Sequence, residues 1–128
     1  MIKIGTTWKI NTYRVYKNKN GVLKSYDGGL LQYKITDIKK PDSKNYLLVA
    51  INVSYTSPKT GLSGEENISA IYNIKCRTFK TIEPEINQEG FSVGLGFTDL
   101  TILKNGKLNV KYLDENAEVY VVDLPKVA

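Results

Sequence analysis

Tyr46-Leu47-Leu48-Val49-Ala50-Ile51-Asn52-Val53-Ser54-Tyr55-Thr56 alternates Leu47, Val49, Ile51, Val53 and Tyr55 with Leu48, Ala50, Asn52 and Ser54. A period of two places successive side chains on opposite faces of an extended chain. β-Branched residues pack well on such a pleated surface. The stretch therefore predicts a central β-strand over 46–56.

Working outward, the same alternation recurs between clusters of turn formers. On the N-terminal side, Leu30 to Ile38 predicts a strand with Leu31, Tyr33 and Ile35 on one face, and the loop Lys40 to Asn45 carries Pro41. Thr7 to Lys17 predicts the first strand, with Trp8, Ile10, Thr12, Arg14 and Tyr16 on one face and Tyr13 and Val15 on the other. Val22 to Tyr26 predicts a short second strand. A two-residue turn at Asn20-Gly21 would set Lys17 opposite Lys24, and like charges paired across strands are unfavourable. A longer loop is expected there.

On the C-terminal side, Ser57 to Asn67, with Pro58, Gly61 and Gly64, predicts the longest irregular stretch. Ile68 to Lys80 predicts one strand, with Ile68, Ala70, Tyr72, Ile74 and Cys76 on its apolar face. Thr81 to Gly90 predicts a loop or a single helical turn, and Phe91 to Phe97 a glycine-bearing strand. Thr98-Asp99 reads as a turn or bulge. A hairpin over 100–113 follows, turning at Asn105-Gly106. A two-residue type I′ turn would pair Leu103 with Leu108 and Thr101 with Val110. Glu118 to Leu124 is the last strand. Together these segments predict an all-β fold: an antiparallel β-sandwich or small β-barrel of eight to nine strands, largely a meander, with little or no helix. The 128 residues fit one domain, 1–128.

Composition removes several kinds of chemistry. Histidine is absent, which excludes serine–histidine and cysteine–histidine catalysis and histidine-ligated zinc within the chain. The single cysteine, Cys76, excludes an internal disulfide and is expected to act as a small hydrophobe on its strand. Glu65-Glu66 and Glu83, Glu85 and Glu89 fall in predicted loops, with Asp37 and Asp99 at strand ends. Nothing fixes two of these carboxylates face to face across a substrate, and none follows the order of a calcium loop. No phosphate-cradling glycine motif occurs. The chain is expected to be no enzyme and to hold no metal or cofactor.

The net charge of +5 comes from 18 basic residues of which only Arg14 and Arg77 are arginine. Arginine is the side chain suited to bidentate phosphate recognition, and the lysines are spread along the whole chain. Lysine, asparagine, isoleucine and tyrosine are abundant together, which has the look of A·T-rich coding. No apolar run is long enough to span a membrane as a helix, so no membrane span is expected. Met1-Ile2-Lys3-Ile4-Gly5 has no leader core. If residue 1 is the native start, that predicts a cytoplasmic or particle-associated (virion) location. If a leader has been removed, a surface or secreted one follows.

Gly5-Thr6-Thr7-Trp8-Lys9-Ile10 resembles the Gly-x-Trp opening strand of lipocalins and intracellular fatty-acid-binding proteins, and the length is similar. The resemblance implies a closed barrel around an apolar ligand. The spacing is one residue longer, and the helical lid and the arginine/tyrosine carboxylate clamp of the fatty-acid binders have no counterpart. Tyr72 to Lys80, followed by Gly90, is similar to the central cysteine-and-arginine strand of the bacterial surface-adhesin E family. Neither resemblance extends beyond those residues.

Thirteen aromatics remain, eight of them in or beside the first five strands. Tyrosines on a sheet can anchor an interface or stack bases, or simply fill a core. The leading expectation is a non-catalytic domain that binds another macromolecule: an accessory, structural or assembly protein of a virus (phage) or bacterial surface complex. Its partner would be another protein, copies of itself included. The candidate partner-binding residues are Trp8, Tyr13, Arg14, Tyr16, Pro58, Glu65, Glu66, Lys75, Arg77 and Lys80. One alternative is a closed barrel carrying a small apolar ligand in a cavity lined by Trp8, Tyr33, Val49, Ile51, Phe91 and Leu95. The other is a single-stranded nucleic-acid-binding domain, ranked behind a protein partner.

Overall fold

Four strands precede the central one. In the computed structural model they are β1 (Thr7–Ile10), β2 (Val15–Asn18), β3 (Leu23–Ser25) and β4 (Leu31–Lys39). After them come β5 (Tyr46–Thr56), β6 (Ser63–Asn73), β7 (Thr78–Thr81), β8 (Phe97–Ile102), β9 (Leu108–Leu113) and β10 (Val119–Leu124). The described residues are 2–10, 15–18, 20–21, 23–25, 30–41, 44–56, 63–81, 97–113 and 119–128. Among them there is no helix, hence none long and apolar enough to cross a membrane.

All ten strands belong to one antiparallel sheet, in the order β1-β4-β5-β6-β7-β8-β9-β10-β2-β3. Thr7 faces Lys34 and Lys17 faces Leu23. The β1–β4 and β2–β3 pairings therefore follow one hairpin register with a single-residue slip between them. Counted that way, the sheet is a meander of eight antiparallel strands that curls into a nearly closed barrel. Closure comes from β10, where Tyr120 faces Asn18 and Val121 faces Lys17, and from the chain after it. Trp8 bridges Lys126, the Thr7 N–H donates to the Ala128 carbonyl at 3.1 Å, and the Val127 N–H donates to the Thr7 carbonyl at 2.8 Å. A sheet closed on itself has no free edge to protect.

An eight-stranded barrel is just wide enough for side chains to fill it, and they do. Leu31, Tyr33 and Ile35 of β4 meet Leu47, Val49, Ile51 and Val53 of β5, as the alternation requires. Leu100, Leu108, Val110, Val122 and Leu124 complete the core from the far side. Tyr33 is 1% exposed, and Ile35 and Val53 are 0% exposed. These three side chains are packed tightly among their described neighbours. Phe91 and Leu95, expected to line an internal cavity with them, lie outside the described residues.

Four local expectations need correction or refinement. First, β6 begins at Ser63, so Glu65 and Glu66 lie in a strand and not in a loop. They pair with Ser54 and Val53, and the Asn52 amide donates to Glu65 Oε2 and Asn67 Oδ1, each at 2.9 Å. This half of β6 is polar on its outer face, so periodicity did not reveal it.

Second, 68–80 is not one strand. Asn73 ends β6, and its side-chain oxygen accepts from the Cys76 N–H at 2.9 Å while its carbonyl accepts from the Arg77 N–H at 2.7 Å. Cys76 consequently sits exposed in a turn, not on an apolar face.

Third, the 100–113 hairpin exists in a different register: Ile102 faces Leu108 and Leu100 faces Val110. A type I′ turn needs positive φ at both central residues. Here only Gly106 has it, at φ 90°. The Gly106 N–H donates to the Leu103 carbonyl and the Leu103 N–H to the Lys107 carbonyl, both at 2.9 Å. That is a three-residue loop closed by a glycine bulge.

Fourth, the expected longer loop before β3 is present: Lys24 faces Tyr16 rather than Lys17. A bulge also falls between Phe97 and Asp99, where turn or bulge was expected.

Candidate functional site

One end of the barrel gathers Lys40, Pro41 and Lys44, the 74–77 turn, the 103–107 turn, residues 2–6 and Lys126. It is built around Trp8. Thr6 and Gly5 prepare that position. The Thr6 N–H donates to the Lys3 carbonyl at 3.0 Å across Ile4-Gly5, and Gly5 holds φ 98°. This is a type II turn, whose third position requires positive φ. The Gly5 N–H then donates to the Ile35 carbonyl at 2.8 Å, and the Ile35 N–H to the Thr6 carbonyl at 2.9 Å. The segment is thereby laid across the barrel end, with Ile2 buried.

Trp8 is 1% exposed. Buried indole N–H groups need an acceptor, and this one finds the Gly106 carbonyl at 2.9 Å, 98 residues along the chain. The Trp8 ring meets Phe79 edge-on with centroids 6.5 Å apart, and Phe79 in turn packs on Tyr72 at 4.6 Å. Three aromatics thus form the floor of this end.

Outside that floor lies a cavity of about 320 Å³. Its apolar wall comes from Ile2, Leu47, Ile74 and Ile102, with Trp8 and Tyr72 beneath. Thr6, Gly106, Arg77 and Lys126 supply the polar part. No acidic side chain is among the described lining residues. Burial pushes the Tyr72 hydroxyl above its usual 10.0, and the Arg77 charge pulls it part of the way back. Next to the cavity, sharing Ile2, Leu47 and Ile74 with it, a wider groove of about 950 Å³ is bordered by Lys3, Lys40 and Lys44. Ile4, on its rim, is 59% exposed, and Val127, after β10, is 55% exposed.

Arg77 is the most constrained residue of the site. It is the only described non-glycine residue with positive φ, at 60°. For an L-residue that conformation costs about 1–2 kcal/mol. Three hydrogen bonds hold it: the Asn73 bond above, the Ile102 N–H donating to the Arg77 carbonyl at 2.9 Å, and Arg77 Nε donating to the Ile102 carbonyl at 3.1 Å.

The candidate residues named from sequence separate as follows. Trp8 and Arg77 meet at the cavity. Lys75 is exposed in the same turn as Arg77, and Lys80 is exposed on β7. Glu65 is exposed and Glu66 half-buried on β6, away from this end. Tyr16 lies in β2. Tyr13, Arg14 and Pro58 lie outside the described residues. Of the tyrosines, Tyr33 and Tyr72 are inside the barrel, Tyr55 packs over Gly64, and Tyr46 is exposed. Sequence reasoning missed Ile2, Thr6, Leu47, Ile102, Gly106 and Lys126 as lining residues. The turn signals at Gly5 and Asn105-Gly106 were visible, but not that they converge.

No cluster of potential metal ligands occurs among the described residues. No family model, curated protein or solved structure matches the chain.

Proposed function

We propose that the chain is a non-catalytic binding barrel that holds a small, largely apolar ligand in the end cavity. The observation that carries this reading is the cavity itself. It is a concave site of about 320 Å³ with an aromatic and aliphatic wall and a few convergent polar groups, the usual make-up of a small-molecule site. Engineered apolar cavities of about 150 Å³ take one benzene ring, so this one suits a ligand of roughly twice that bulk. Trp8 is the only tryptophan in the chain, which makes its fluorescence a direct reporter. Titration with 1-octanol is expected to change that emission saturably, and Ile74→Trp, which fills the rim, to abolish binding as read by calorimetry. Octanol binding that Ile74→Trp leaves intact would place the ligand elsewhere and defeat the reading.

A second reading, a protein partner docked on the neighbouring groove, is favoured by the exposed Ile4 beside three lysines. The partner it fits is an acidic segment with apolar side chains. Chemical cross-linking to an acidic amphipathic peptide, lost in Ile4→Glu and at high salt, supports it. Cross-linking that Ile4→Glu leaves unchanged counts against it.

A further inference from the structure

We infer that the end cavity selects an amphipathic monoanion, a molecule with an apolar body and a carboxylate or sulfonate head, and that Arg77 is the residue that receives the head. This rests on the ligand-binding reading above and adds the charge class of the ligand. Two cations, Arg77 and Lys126, line the cavity, and among its described lining residues there is no acidic side chain. Arg77 Nε is engaged by the Ile102 carbonyl, and among the described residues no acidic side chain pairs with the rest of the guanidinium. The remaining N–H groups of a guanidinium form a fork matched to a planar carboxylate. The apolar part of the lining is Leu47, Ile74 and Ile102 over Trp8. The space therefore offers a cationic partner to a negative head and an apolar lining to the body of the same ligand.

The backbone supports the assignment. A turn that needs a left-handed residue is ordinarily filled by glycine or asparagine. At residue 77 the sequence accepts the cost of an arginine there and ties it to β8 on both its backbone and its side chain. Strain of this kind gathers at functional positions. The Arg77 charge also reaches the buried Tyr72 hydroxyl, whose ionisation it favours. The field it would offer a bound anion is thus already felt inside the site.

The test compares three probes of one length, octanoate, 1-octanol and octylammonium, at pH 7 by Trp8 fluorescence and calorimetry. Octanoate is expected to bind at least tenfold more tightly than octanol, and octylammonium more weakly than either. Arg77→Gly removes the head-group partner while suiting the positive φ. It is expected to bring octanoate affinity to within twofold of the octanol affinity of the same variant. Arg77→Asn, also tolerant of that conformation, is the second variant, and thermal unfolding confirms that both are folded. Equal binding of octanoate and octanol to the native protein overturns the anion selectivity while leaving a ligand site standing. A preference for octanoate that survives both variants overturns the role of Arg77. Absence of binding by all three probes overturns the ligand-binding reading itself.

Discussion

Replacing Trp8 by phenylalanine tests whether this side chain closes the barrel end as its geometry implies. The substitution keeps an aromatic ring against Phe79 but shortens it and deletes the N–H that reaches the Gly106 carbonyl at 2.9 Å. The lost volume is roughly 40 Å³, and core cavities cost about 24 cal/mol per Å³, giving about 1 kcal/mol. An acceptor stripped of its partner costs about 1–3 kcal/mol. Gly106 is half-exposed, so water can reach its carbonyl and the lower part of that range applies. The expected loss is about 2–3 kcal/mol, or a drop in Tm of roughly 6–10 °C for a domain of this size. Because Trp8 is the only tryptophan, unfolding is followed by far-ultraviolet circular dichroism in urea. A double-mutant cycle with Phe79→Leu then isolates the edge-on ring pair, expected to contribute about 0.5–1.5 kcal/mol. A Trp8→Phe protein within 0.5 kcal/mol of the parent would refute the reasoning, since neither the bond nor the volume would then matter.

The Tyr72 hydroxyl is held above its usual 10.0 by burial. The unfolded chain therefore gives up this proton first, and the contribution is intact below pH 10 and lost as pH rises beyond it. Tyr72→Phe is expected to flatten that alkaline loss in urea titrations across pH 9–11, and an unchanged slope would show that the loss arises elsewhere. Cys76 is exposed, so a disulfide reagent such as dithionitrobenzoate is expected to react with it at full rate in the native protein. Reaction only after unfolding would return Cys76 to a core position. Gly106→Ala puts a Cβ at φ 90° in open space, so the cost is conformational alone, about 1–2 kcal/mol by urea unfolding. A neutral substitution would contradict the glycine-bulge turn.

The central strand could be read from sequence with its bounds intact because one of its faces is wholly buried. Leu47, Val49, Ile51 and Val53 point inward at every second position, and a slip by one residue would turn all four outward. The same logic fails for the first half of β6, where Glu65 and Asn67 face solvent and Gly64 lies under Tyr55. A strand whose inward residues are small or half-covered has no hydrophobic period to detect. Asparagine misled in two places for one reason. Asn73 and Asn105 both use the side-chain oxygen as a local acceptor, from the Cys76 N–H and the Lys107 N–H. Asn73 thereby cuts an apparent thirteen-residue strand in two. Asn105 stays out of positive φ and moves the hairpin register by one residue.

The site was harder to read than the fold because its members share no local pattern. Trp8 and Arg77 were both visible as unusual residues, but their meeting depends on barrel closure. The first strand must reach Lys126, the 103–107 turn must lift the Gly106 carbonyl to the indole, and the 74–77 turn must lock onto Ile102. Each is a contact between segments far apart in sequence, so no window of the chain contains the site. The same fact sets how the site must be probed. Trp8 and Gly106 line the cavity and also seal the barrel, so changing either alters stability and binding together. Arg77 differs. Its backbone works against its own conformation, and its guanidinium serves the cavity. Removing that side chain at a position that favours glycine costs the Nε bond to the Ile102 carbonyl but keeps the backbone bonds that lock the turn, so it disturbs closure less than a change at Trp8 or Gly106.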